Sequence, residues 1–591
     1  MSKRLIRLHR LALIAVATAI VTAGCAEIPI TGPVVQVSPP PVVTGAPPVD
    51  VEPAPPVPDG NPDAILSGFL TAVASGSPTR FSVARQYLTS RAAEEWDPTQ
   101  GVTIYSSDGS ALIVTDHSAA LKTPVIGLID SQGYFTAVDQ PDFSHNFNMV
   151  QNVYGQWRID DPGQGIFVSQ YRFQSSFRVV PLHFFNRSLD KLVVENLYMN
   201  WADATPAAAV EALLRGPSAW LSPAAVTVIP AQTRLFVSSV PVQDGVAQVS
   251  LTQAAAGLSD IQQVQLAAQL LATLQGVSDS INGLRIDVAG VPLAVRGQDE
   301  EGVVRADTIS TYTAVSNPSS QDAYGLLDDG SVVRLPATSN DVTWPVLGPI
   351  SVPGSDEADV PESLAVSPDG TKLALATASG LYLASTASGS PALKRFDQTG
   401  LIRPQVDNDG VWAVSNGDVP VLWLVSNSGT VDHVPLTELA GATVVAFRVS
   451  PDRARIAVIA EYEDVDLFGL MRISSTTPLA ADGWRPLVVD TGRGTLDKIY
   501  DVGWASSLQL LVLASATKDA SFVVYRFDVD AAMVESLGPI GDDPPIGLAV
   551  QPRTDGQTIL VVTTSGMVLR YEDATRWITL VSGVTAIALP G

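Results

Sequence analysis

The sequence predicts a multidomain chain: two small α+β domains followed by an all-β propeller of about six blades. Three observations carry that expectation. From about Ile309 to Gly591 the chain is nearly free of helical periodicity and a strand–turn–strand unit recurs. Ahead of that region, two stretches mix capped amphipathic helices with alternating strands. A proline-rich segment separates all of this from a basic and then apolar N-terminus.

The N-terminus has three parts. "MSKRLIRLHR" carries Lys3, Arg4, Arg7 and Arg10 and no acid, "LALIAVATAIVTAG" over residues 11–24 is uncharged, and small residues lead into Cys25. A positive region, a short apolar run and small residues at the cut are the layout of an export signal. The apolar run has 14 residues, whereas a helix needs about 20 to span a bilayer, so residues 1–24 are expected to be removed rather than retained as a span. Cys25 is the only cysteine in 591 residues, so no disulfide forms within the chain. "VTAGC" resembles the lipobox of bacterial lipoproteins, although Thr22 stands where leucine is commonest. The resemblance implies cleavage between Gly24 and Cys25, a diacylglyceryl group on the thiol and an acyl chain, such as palmitate, on the freed amine. The expected location is the extracytoplasmic face of the cell membrane.

Residues 25–61 then read as a tether. From Pro29 to Pro62, 12 of 34 residues are proline. Proline locks φ and lacks a donor, which rules out helix interior and sheet. At about 3.1 Å per residue such a spacer reaches on the order of 100 Å.

The first α+β domain is expected over residues 62–176. Asn61 can cap, Pro62 suits a first helical turn, and Ile65, Leu66, Phe69, Leu70 and Val73 fall on one helical face. "PTRFSVARQYL" is a second helical run. "VTIYSS", "PVIGLID", "YFTAVD" and "NMVQNVYGQWRID" follow as strands. Helices followed by a run of strands indicate an α+β layer, and the order is similar to the nuclear-transport-factor-2-like cone.

The second domain is expected over 177–297. "VVPLHFFN" is an apolar strand, and "TPAAAVEALLRGP" is a helix with Thr205 as cap and Gly216-Pro217 as stop. "TRLFVSSVPVQDGVAQVSL" reads as two strands turning at Asp244-Gly245. "SDIQQVQLAAQLLATLQG" has Ser259 and Gln262 at capping-box spacing, and "LRIDVAGVPL" closes with a strand.

The propeller is expected over 309–591. "LAVSPDGTKLALAT" starts at Leu364, "RPQVDNDGVWAVS" at Arg403, "FRVSPDRARIAVIA" at Phe447, "YDVGWASSLQLLVLA" at Tyr500 and "GLAVQPRTDGQTILVVT" at Gly547, 39 to 53 residues apart. A period of about 40 to 50 with strands and polar turns is that of four-stranded blades. "YGLLDDGSVVRLP" from Tyr324 supplies part of a first blade, and the tail "WITLVSGVTAIALPG" is placed to complete the ring.

The series "PLHFFN", "EALLRGP", "SVPVQDGVAQVSL" and "LRIDVAGVPL" resembles the germination-protein-M (GerMN) module. Set between an α+β domain and a propeller in a lipoprotein, it resembles the actinobacterial lipoprotein LpqB family. The resemblance implies action on the extracytoplasmic part of a sensor histidine kinase, MtrB of the MtrA–MtrB two-component system, with effects on cell-wall homeostasis and division.

Chemistry of the enzymatic kind is not expected. The chain has 60 acidic against 35 basic residues, a net charge of −25. Nucleic acid binding needs clustered cations to displace phosphate counterions, and the one such cluster lies in the segment to be removed. Of the five histidines, His9, His117, His145, His183 and His433, no two are at metal-pair spacing. His183 reads as a packed strand residue. Asp407, Asp409 and Asp369 sit in turns whose Asp and Gly serve the backbone better than a calcium ion. No catalytic residue, metal or cofactor is assigned. Two other functions remain: a binder of peptidoglycan or a small envelope ligand, and a wall hydrolase using the propeller channel.

Overall fold

A computed structural model describes residues 53–591 apart from 75–80, 107–110, 115–117, 316–318, 336–345, 350–359, 388–391, 475, 477, 493, 518, 555 and 574. The signal region, Gly24, Cys25, most of the tether, His9 and His117 lie outside the described residues. Among those described, no helix is long and apolar enough to cross a membrane.

The last part of the proline-rich stretch is already packed: the Tyr87 hydroxyl donates to the Ala54 carbonyl at 2.8 Å. Helix Pro62–Ala74 starts where Asn61 Oδ1 accepts the Ala64 N–H at 2.9 Å. It buries Ile65, Leu66, Phe69, Ala72 and Val73. Burying a large apolar side chain contributes about 1.5–3 kcal/mol, so this face holds the helix in place. Its partner is a five-stranded sheet in which Ala119–Asp130 pairs with Ala111–Val114, Gly101–Tyr105 and Phe135–Asn146. Gly101–Tyr105 also runs parallel to Ile166–Ser169.

No linker separates the first two domains. Helix Gln170–Ser176 runs directly into strand Phe177–Asn186. Phe177 and Tyr198, from the second domain's hairpin, complete the first domain's core. That hairpin pairs Phe177–Asn186 with Leu192–Asn200. A second sheet places Val246–Leu251 parallel to Gly283–Val288. A parallel pair needs a crossover, which helix Asp260–Val277 supplies, opened by the Ser259/Gln262 capping box. Helix Pro206–Leu214 is capped by Thr205, and Gly216 takes φ +86° just beyond its end.

One expected strand is cut short. In "TRLFVSSVPVQDGVAQVSL" only Val242–Gln243 and Val246–Leu251 pair, around Asp244-Gly245. The upstream half is a loop touching the sheet through an isolated Leu235–Leu251 bridge, with Phe236 and Val237 exposed. Pro241 lacks the donor needed to carry the ladder through. Alternation over a few residues describes a strand's pattern but not the availability of an edge to pair with.

Gly276 marks where the long helix meets the hairpin. A Cβ there would lie 2.2 Å from Pro181 Cγ, on a ring that cannot swing away. Gly276→Ala is expected to cost about 1–3 kcal/mol by overpacking. Chemical denaturation of the full chain measures it, and a cost under about 0.5 kcal/mol would refute the contact.

Six four-stranded sheets are described between Ala323 and Ala588, as the repeat predicts. Their innermost strands are Ala586–Ala588, Ser363–Val366, Gln405–Val406, Thr443–Val449, Leu496–Trp504 and Pro545–Arg553. The tail is divided between two blades. Arg576–Val581 is the outer strand of the sixth, whereas Ala586–Ala588 pairs antiparallel with Ala323–Leu326 and becomes the inner strand of the first. The C-terminus therefore clasps the ring, burying Ile587 and Leu589, and closure spares the propeller a free inner edge.

Candidate functional site

Among the described residues, two places gather polar side chains: the propeller axis and the junction where all three domains meet. The axis begins with Asp501, on the inner strand of the fifth blade and 4% exposed. Its carboxylate takes Arg403 Nη1 at 2.8 Å and the Leu548 and Val502 N–H groups at 2.7 and 2.9 Å. Arg403 Nη2 donates to the Leu548 carbonyl at 2.7 Å. One ion pair thus straps the third, fifth and sixth blades. Burial pushes the Asp501 carboxyl up, with Arg403 opposing. The Gln405 side chain likewise bonds both N–H and C=O of Val449, and Gln551 Nε2 donates to Pro590 O at 2.9 Å. These groups join blade to blade, leaving a cavity of about 160 Å³ on the axis.

The junction is built by two turns that depart from the repeat. In the second blade "VSPDG" folds on itself. Ser367 Oγ donates to Asp369, which also accepts the Thr371 N–H at 3.0 Å, and Gly370 takes φ +71°. These bonds hold the exposed Asp369 carboxyl down at about 2. The fourth blade's "VSPDRAR" repeats the turn: Asp452 Oδ1 accepts the Ala454 N–H at 3.1 Å, and Ser450 Oγ accepts the Arg455 N–H at 3.1 Å. Here, however, Arg453 occupies the glycine's position at φ +57°, a conformation that costs a residue with a Cβ about 1 kcal/mol. It offsets that by pairing with Asp407 at 2.9 Å and with Asp409.

Arg455 points the other way, out of the propeller. Its Nη2 bonds Asp452 Oδ2 at 3.0 Å and the Val194 carbonyl of the second domain at 2.6 Å. Asn186 Nδ2 reaches back to Asp452 O at 3.2 Å, and Ala454 is buried in the second domain's core. The fifth blade's turn makes the matching contact. Ala532 and Met533 pack on the first domain, and Asp530 accepts the Tyr198 hydroxyl at 3.1 Å. Arg485 Nη2 donates to Phe135 O at 2.9 Å. Trp220 Nε1 donates to Gly483 O at 2.9 Å while Arg472 Nη1 holds its carbonyl at 2.8 Å. The three domains form one body, with a cavity of about 370 Å³ at their meeting point.

Electrostatics at the junction are set by burial. Desolvation raises Glu195, Asp530 and Tyr134 and lowers Arg485. Asp528 is pushed up to about 7, first by burial and then by Asp530 beside it. A carboxyl with a raised folded pKa holds its proton more tightly folded than unfolded, so its contribution to stability falls as pH rises from about 4 to 7. Acidifying from pH 8 to 6.5 is therefore expected to stabilise the chain by about 1 kcal/mol through Asp528. Asp528→Asn should flatten that slope in thermal unfolding, and an unchanged slope would sink the assignment. Below pH 6.5 His183 opposes the gain. Packing lowers it to about 4, so stability is lost between about 6.5 and 4.

Of the sequence candidates, Asp407 and Asp409 meet at Arg453, while the described histidines stay apart. His183 Nδ1 lies 3.4 Å from Thr273 Oγ1, His145 stacks on Phe167, and His433 stacks on Trp423. Asp407 is consumed by its turn: Oδ1 takes the Asp409 and Gly410 N–H groups and Oδ2 takes Trp412 Nε1. Sequence reading missed Arg453 and Arg455. The signal was present as an arginine where the second blade has the glycine of Ser-Pro-Asp-Gly.

Residues 55–174 match the family model of the lipoprotein LpqB N-terminal domain. Residues 181–294 match the sporulation and spore germination (Germane) model, and residues 330–590 match the lipoprotein LpqB β-propeller model. The chain is 30% identical to Lipoprotein LpqB of Cutibacterium acnes, over 97% of this chain and 98% of that one. It is 26% identical to the Streptomyces avermitilis protein of that name over 90% of each, and 25% identical to the Streptomyces coelicolor one over 98% of this chain and 97% of the other.

Proposed function

Since the chain belongs to the lipoprotein LpqB family, we propose that it is lipid-anchored through Cys25 on the extracytoplasmic face of the membrane. There it binds the outer domain of a sensor histidine kinase, MtrB of the MtrA–MtrB system, and biases its signalling without bond-making. The observation that carries this reading is the fusion of three domains into one body, joined at Arg455–Val194, Tyr198–Asp530 and Arg485–Phe135. A rigid body presents a preformed surface and spends little ordering entropy on binding. The lipid confines that surface to the plane from which the sensor protrudes, raising effective concentration without a new contact. Signalling then follows from unequal affinity for the sensor's two states.

The contact we favour is the hairpin tip of the first domain. Val153 and Tyr154 are 93% and 83% exposed. The turn carrying them is fixed by Asn152 Oδ1, which accepts the Tyr154 and Gln156 N–H groups at 2.9 and 3.0 Å. A projecting aromatic on a stiff turn is the residue type that dominates interfaces. The test is binding of the full-length lipoprotein, in nanodiscs, to the sensor's purified extracytoplasmic domain. Saturable binding is expected, weakened about 30-fold by Tyr154→Ala, the equivalent of about 2 kcal/mol. Absence of binding by the unaltered protein would overturn the partner, and full affinity in the variant would move the contact elsewhere.

A further inference from the structure

The cavity at the three-domain junction has polar capacity that the fold does not use. The side chain of Asn196 lies close enough to Tyr198 and Asp530 to favour the charged form of each and is 5% exposed, yet neither its oxygen nor its nitrogen completes a hydrogen bond of full distance and angle. Arg455 Nε is also buried without a partner. Buried polar atoms are rarely left so, and here two sets of them line or flank one cavity.

We propose that this cavity is a binding site for a small uncharged polyhydroxylated ligand of the sugar class, held by Asn196, Glu195, Asp530, Arg455, Arg485 and Trp220. The volume, about 370 Å³, lies within the range of about 300–1,000 Å³ typical of small-molecule sites. The lining sets the chemistry. Two guanidinium groups face three carboxyl groups, the exposed Asp130 and the more deeply set Glu195 and Asp530, so an anion meets the carboxyl groups while a cation meets Arg455 and Arg485. A ligand with alternating donors and acceptors satisfies both signs at once. A hydroxyl donates to a carboxylate and accepts from a guanidinium or amide N–H with the same oxygen. Trp220 adds an aromatic surface for the C–H face of a ring. Its indole nitrogen is already committed to Gly483, and Arg485 sits 5.8 Å from its ring centroid.

Each domain contributes to this lining: Tyr134 and Phe135 from the first, Asn196 and Trp220 from the second, and the two arginines and Asp530 from the propeller. Occupancy therefore tightens the junction itself. This inference goes beyond the kinase reading and does not depend on it, because the hairpin tip and the cavity are tested by different probes.

The experiment is calorimetric titration and thermal denaturation of the full chain with glucose, galactose and N-acetylglucosamine, and with inorganic phosphate and glycine as charged comparators. At least one sugar is expected to bind saturably and raise the melting temperature in proportion to its occupancy, with phosphate and glycine inert. Asn196→Leu is expected to weaken that sugar at least tenfold while leaving the ligand-free melting temperature unchanged or higher, since it removes unpaired polar atoms. Asn196→Ser, smaller and still polar, is the second variant should the leucine disturb packing, with the same tenfold loss expected. No saturable sugar, tighter binding of phosphate or glycine, or unaltered affinity in both variants would each overturn the proposal.

Discussion

Replacing Arg455 with alanine is expected to cost the chain about 3–5 kcal/mol, the range measured when one member of a buried ion pair is removed. The Arg455 and Asp452 side chains are 3% and 0% exposed, with 3.0 Å between their charged atoms. Their attraction roughly cancels the desolvation of both. Truncating the arginine leaves the desolvation of Asp452 uncompensated and the Val194 carbonyl without its donor. Denaturant unfolding should show a lower midpoint, and limited proteolysis should find the second domain and propeller separating before either unfolds. The paired change Asp452→Asn with Arg455→Met should recover most of the loss, because no unpaired charge remains. An exposed comparison, Arg91 with Glu95, has side chains 58% and 62% exposed, and Arg91→Ala should cost under about 1 kcal/mol. A cost for Arg455→Ala as small as that would mean the junction is not held by this pair.

Cys25→Ser is expected to abolish membrane attachment. The physical basis is the acyl chains themselves. Each buried methylene contributes about 0.8 kcal/mol, and two or more chains hold firmly where one is marginal. Serine has no thiol to accept the diacylglyceryl group, and without that group cleavage before residue 25 is not expected. The variant should therefore keep its signal, run larger than the mature protein and wash from membranes, since its 14-residue apolar run is shorter than the roughly 20 residues a spanning helix needs. Fractionation and intact mass read both features. A variant that stays membrane-bound at the mature size would remove the anchor, and with it the effective-concentration argument for a membrane partner.

Cys25 and Arg455 differ in how far the chain's own order of residues reveals them. Cys25 belongs to a local pattern of small and apolar residues that lies outside the described part of the chain, and within the described part the local capping patterns hold. Asn61-Pro62, Thr205-Pro206 and the Ser259/Gln262 pair each open a helix as their spacing requires. Each rests on bonds within four residues of the cap, so sequence neighbours contain the whole interaction. The six blades were legible for the same reason, since strand, turn and strand recur at a steady period. The loop at residues 234–240 was not, because pairing depends on which edges are free once the sheet has assembled.

From sequence alone came the periodicity of the blades, the caps and the turns, along with the expectation of an anchor at Cys25. Only the tertiary structure decided that "VSPDRAR" serves as a clasp between domains rather than as another copy of a surface turn, and that Asn196, Trp220, Arg485 and Asp530 surround one cavity. Capping acts across a few covalent bonds, where the local sequence determines the outcome. The clasp and the cavity join residues more than 200 positions apart, and that proximity arises only after three separately readable units pack together and exclude water.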